Sequence, residues 1–78
     1  MTKTATIKMG LRQALAKRPT PATITRPDPA SAAVAVGDWT LTITFSPHNE
    51  AGDLATESEH TAIFDALSGI VTEHNAGL

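Results

Sequence analysis

From residue 31 the chain alternates. Ala32, Val34 and Val36 are separated by Ala33 and Ala35, and Trp39, Leu41, Ile43 and Phe45 by Thr40, Thr42 and Thr44. An apolar residue at every second position is the signature of a strand with one buried face. Gly37-Asp38 joins the two runs, and a two-residue link with glycine first suits a type II′ hairpin turn. That turn sets Val36 opposite Trp39, Val34 opposite Leu41 and Ala32 opposite Ile43. The turn and the alternation therefore choose the same face, and a slip of one residue would turn every apolar side chain outward. The pattern predicts a hairpin over 31–36 and 39–45, with Trp39, Leu41 and Ile43 buried.

Downstream the period lengthens. His60, Ile63, Phe64, Leu67, Ile70, Val71 and His74 fall within one arc of a helical wheel, as the buried face of an amphipathic helix requires. Thr56 followed by Glu59 reads as a capping box, and Glu57 and Glu59 lie where the helix dipole favours negative charge. With a stop at Asn75-Ala76-Gly77, the predicted helix covers about 56–74. The stretch 46–53, SPHNEAGD, is turn chemistry between the two elements.

Upstream the pattern is less decisive. Ala5, Ile7 and Met9 alternate with Thr4, Thr6 and Lys8, which predicts a first strand within 2–9. Residues 10–18 switch to helix formers, with Leu11 and Leu15 on one side and at most two turns before Pro19. Prolines at 19, 21, 27 and 29 punctuate the next eleven residues. Ala22 to Thr25 then reads as an edge strand, since proline at both ends excludes a central position; the alternative is an extended arm without a ladder partner. The expected fold is α+β: a small antiparallel sheet of three to four strands, built on the hairpin 31–45, with the C-terminal helix packed on one face.

Composition changes this picture in one respect. Seventy-eight residues make a single small domain, and although 41% are hydrophobic, 13 of those are alanine. Only 16 are Ile, Leu, Val or Phe, about a fifth of the chain and near the level at which disorder sets in. The net charge of −2 is too small to expand the chain. The expectation is a folded domain with a thin core that leans on a partner or on copies of itself. Cysteine is absent, which removes disulfides and thiolate chemistry. The first ten residues lack the apolar run of a signal peptide and no run approaches a membrane span, so a soluble, intracellular protein without a membrane partner is expected.

Charge is segregated. All six basic residues, Lys3, Lys8, Arg12, Lys17, Arg18 and Arg26, precede Asp28, and all eight acidic ones lie from Asp28 onward. A basic segment over 1–26, read as an arm, invites nucleic acid as the alternative partner. It carries no aromatic residue to stack on bases and no recognition motif. The preferred reading packs the basic segment against an acidic body, of the same copy, a second one or another protein.

Candidate chemistry is sparse. His60 and His74 share a helix face, but fourteen residues at the helical rise separate them by about 21 Å, too far to ligate one ion. His48 and Glu50 lack a third ligand. No nucleophile elbow, glycine-rich phosphate loop or acid–base pair occurs, so the chain is read as non-enzymatic, with no cofactor, no metal and no small-molecule substrate.

Away from the apolar arc the C-terminal helix carries Ala62, Ala66 and Gly69. Glycine inside a helix costs about 1 kcal/mol relative to alanine, which suggests a place where another backbone comes close. Ala62, Ala66 and Gly69, with Lys3, Lys8, Arg12, Lys17 and Arg18, are therefore the expected partner-binding residues. The expected function is a protein–protein interaction or assembly module, with a homo-oligomer or a larger protein as partner. In type rather than in any motif the chain resembles small phage-encoded proteins, which implies a structural subunit or an inhibitor of a host protein.

Overall fold

The hairpin organises the molecule. In the computed structural model, which describes residues 3–49 and 51–78 and, within the first helix, the side chains from Ile7 onward, there are five elements. In chain order they are α1 (Lys3–Ala16), β1 (Ala22–Thr25), β2 (Ser31–Val36), β3 (Trp39–Thr44) and α2 (Glu57–Ala76). The strands form one antiparallel sheet in the order β1-β2-β3, and α2 approaches it most closely at β1. The fold is thus α+β, a three-stranded sheet with the C-terminal helix packed against it.

Val36 pairs with Trp39, Val34 with Leu41 and Ala32 with Ile43, the register the alternation predicts. Gly37 has φ +58° and no other residue type among the described residues has positive φ, so the turn takes its left-handed step at glycine alone, as type II′ geometry demands. Continued pairing shows beyond β3, where the Phe45 N–H donates to the Ala30 carbonyl at 2.8 Å. Between β1 and β2 the Asp28 carboxylate accepts from the Ala30 N–H and the Ser31 hydroxyl, each at 2.8 Å. The Ser31 bond, then the Ala30 bond, hold the Asp28 carboxyl below its ordinary range.

The core lies on one face of the sheet. Ala32, Val34 and Val36 of β2 are buried with Ala22 of β1, Leu11 and Leu15 of α1, Phe45, and Leu67, Ile70 and Val71 of α2. The capping box forms as read: the Glu59 N–H donates to the Thr56 hydroxyl at 3.1 Å, and the Thr56 N–H donates back to the Glu59 carboxylate at 3.2 Å. The Thr56 N–H holds the Glu59 carboxyl below its ordinary range. Both depressed carboxyls favour the folded state while ionised, so that contribution is present at neutral pH and fades as the pH falls through the depressed values.

Two expectations fail, and a helix boundary moves. The predicted first strand is helix: α1 runs from Lys3 through Gly10 to Ala16. Ile7, Leu11 and Leu15 stand four residues apart, and this stripe packs on the core while Met9 is 60% exposed. Helical burial of three large side chains outweighs the period-two pattern of small threonines and alanine. Trp39, Leu41 and Ile43, expected to be buried, are only half-buried, α2 approaching the sheet most closely at β1. The helix α2 also continues through Asn75 and Ala76 to a cap at Gly77, two residues past the predicted end.

Replacing Gly37 by valine tests the turn. An added Cβ there meets only the Thr20 hydroxyl oxygen at 3.7 Å, an ordinary contact, so the penalty is torsional, about 1–3 kcal/mol in urea melts. Thr56→Ala should cost about 1 kcal/mol in the same assay.

Candidate interaction surfaces

The predicted helix face is open. Ala62 and Gly69 are exposed and Ala66 half-buried, and a Cβ built on Gly69 has nothing within 4 Å. Among the described residues no backbone outside the helix approaches Gly69. The same helix turns its other face to the sheet and secures it through polar ties. His60 is buried against the Phe45 ring, with its Nε2 3.0 Å from the Ser46 carbonyl. His74 Nε2 lies 2.7 Å from the Thr20 carbonyl. The two histidines read as edging the apolar face each tie α2 to the chain end of a strand. Among the described residues no three His, Asp or Glu side chains gather as a metal-binding group.

The basic residues divide into engaged and free. Arg18 donates to the Ala14 carbonyl at 3.0 Å and stacks 4.0 Å over the Trp39 ring. Arg26 donates to the Thr61 hydroxyl and the Pro29 carbonyl, each at 3.0 Å, beside the Phe64 ring. These two guanidiniums cover half-buried aromatic rings, so they serve the fold. Arg12 and Lys17 are exposed and Lys8 is half-buried. Arg12 lines a shallow groove between α1 and α2 with Leu15, Ile70, Glu73 and His74. The side chain of Lys3 lies outside the described residues.

Sequence reasoning missed two features of the sheet. Its outer face carries Thr23, Thr25, Thr40, Thr42 and Thr44 around Ala33 and Ala35, all exposed except the half-buried Ala33 and none charged. The two edges, moreover, differ. In a two-residue hairpin the flanking pair, Val36 and Trp39, exchanges both hydrogen bonds. Residues 39, 41, 43 and 45 then bond inward to β2, and Thr40, Thr42 and Thr44 turn their N–H and C=O groups to the open edge. By the same parity Ala22 and Ile24 of β1 face the opposite edge. There the Ala22 N–H donates to the Asn75 Oδ1 at 2.8 Å, and the Asn75 amide donates to the Ala22 carbonyl at 2.9 Å. Asn75 therefore mimics a neighbouring strand at Ala22, and Pro21 and Pro27 bracket β1. Along β3, among the described residues, nothing bonds to the outward groups.

No helix among the described residues is long and apolar enough to cross a membrane. No family model matches this chain, and neither a curated protein nor a solved structure does.

Two substitutions probe these surfaces. Gly69→Ala adds a methyl to open space and should stabilise the isolated domain by about 1 kcal/mol in urea melts. Asn75→Ala unties both polar groups of Ala22 and should cost about 1–3 kcal/mol, two bonds at the usual net value, with faster amide hydrogen exchange confined to β1.

Proposed function

We propose that this chain is a non-enzymatic assembly module, a small α+β domain that works by binding protein, with a copy of itself as the first-ranked partner and a larger protein as the second. One observation carries the reading. On β2 the inner row, Ala32, Val34 and Val36, is fully buried, whereas the matching row on β3, Trp39, Leu41 and Ile43, is only partly buried. In a domain with so few large apolar side chains, leaving three of them partly in water leaves burial unrealised, at about 25 cal/mol per Å². A surface that covers this row would recover it. The small-residue face of Ala62, Ala66 and Gly69, rimmed by acidic side chains, offers a second place for contact, and Lys8, Arg12 and Lys17 supply cations for an acidic partner. A small structural subunit fits this reading well, and an inhibitor that docks on a larger protein fits it too.

Nucleic acid on the basic segment is the weaker reading. Arg18 and Arg26 are occupied with Trp39 and Phe64, which leaves fewer cations for phosphate than the sequence count implies. Salt separates the two. Light scattering of the full chain after size-exclusion chromatography should show self-association that changes little between about 50 and 200 mM salt, whereas phosphate binding would weaken by orders of magnitude over that range. A chain that is monomeric throughout, and that binds a duplex or single strand only at low salt, would overturn the assembly reading.

A further inference from the structure

We infer that two copies of this chain join through the open edges of β3, in antiparallel register about a two-fold axis at Thr42, to make one six-stranded sheet. This rests on the assembly reading and names its partner and its surface.

The edge itself makes the first argument. An exposed strand edge is a template for another strand, and proteins ordinarily blunt it with proline, lysine, a bulge or a covering element. The β1 edge is blunted: prolines bracket it and the Asn75 amide occupies Ala22. β3 has none of these devices. Its six residues, WTLTIT, include no charge and no proline, and no helix packs along it as α2 packs along β1.

Charge and shape then select the occupant. A strand laid against β3 must bring uncharged residues to the ladder and apolar ones to its inner side, and β3 is itself such a strand. The outward groups belong to Thr40, Thr42 and Thr44, so hydrogen-bonded pairs must form among these residues. Only the register that sets Thr42 against Thr42 of the second copy, and Thr40 against Thr44, engages all three. Each pair exchanges two hydrogen bonds. On the inner side the same register sets Leu41 beside Ile43 of the second copy and Trp39 beside its Phe45, covering the half-buried row with apolar neighbours of its own kind. On the outer side it extends the uncharged threonine face. Asp38, the nearest charge, falls opposite Ser46 of the second copy and close to its His48, so no like charges meet. Because prolines and Asn75 blunt the β1 edges, assembly stops at two copies instead of growing into a fibre.

The test uses Thr42, whose side chain is exposed and faces its own counterpart only in this register. Sedimentation equilibrium of the full chain should show a dimer. Thr42→Lys and Thr42→Glu should each weaken it by about tenfold or more through like-charge juxtaposition, with unchanged far-ultraviolet circular dichroism, and an equimolar mixture of the two should restore the dimer. Thr23→Lys, on the same face but at the closed edge, should leave the dimer intact, as should Ala66→Arg on α2. A wild-type chain that stays monomeric at all concentrations overturns the proposal, and so does a mixture that fails to re-associate. Dimers that survive both Thr42 substitutions but dissociate with Ala66→Arg also overturn it, while leaving the assembly reading standing on the helix face.

Discussion

Ala32, Val34 and Val36 line the inner side of the single strand that has neighbours on both edges, and nearly every other packing contact in the molecule is arranged around them. Their small size is a constraint with two consequences. A row of alanine and valine lets the helices come close, so that Leu11, Leu15 and Leu67 become almost inaccessible and the few large side chains are placed where burial is complete. It also keeps the core narrow. The inner row of β2 is fully covered, while Ile24 of β1 and the row on β3 are only partly buried. A wider core would need more large residues than the chain has, and offsetting the ordering of each further residue takes roughly 1–2 kcal/mol.

Polar ties supply what a narrow core does not. His60 to the Ser46 carbonyl, His74 to the Thr20 carbonyl, Asn75 to both polar groups of Ala22, and Arg26 to Thr61 and Pro29 all join a helix or a turn to the end of a strand. Each is worth little alone. Together they tie α2 to the chain before and after β1, through Thr20, Ala22 and Arg26, and to Ser46 beyond β3, which sets where the helix lies. The stacking of Arg18 on Trp39 covers the first residue of β3.

The hairpin register, its turn, the capping box and the amphipathic arc of α2 were all legible in the sequence, because each rests on contacts within a few residues of chain or on a periodicity several residues long. The edge strand Ala22–Thr25 was legible too, from the prolines on either side of it. The features that escaped depend on contacts between distant segments. Residues 5–9 alternate as a strand does, and only the continuation of Ile7 into Leu11 and Leu15 across Gly10 reveals a helix. Asn75 looks like a stop signal until Ala22 is seen beside it. The degree of burial of Trp39, Leu41 and Ile43 could not be read from alternation, which assigns a face but not the breadth of the layer that covers it.

The misread first strand and the open edge are connected. A strand over residues 5–9 could have lain beside β3 and closed the sheet on that side. Drawn instead into α1, the stripe Ile7, Leu11 and Leu15 packs on the core, and among the described residues the edge of β3 has no neighbour. The chain therefore uses its first segment to thicken the core rather than to widen the sheet. For a domain this poor in large apolar residues that is the more stabilising choice, since a helix buries one stripe deeply whereas a further edge strand would add another half-covered row. Its consequence is a sheet with one blunted edge and one open edge, and the proposed pairing of two copies rests on that asymmetry more than on any single residue.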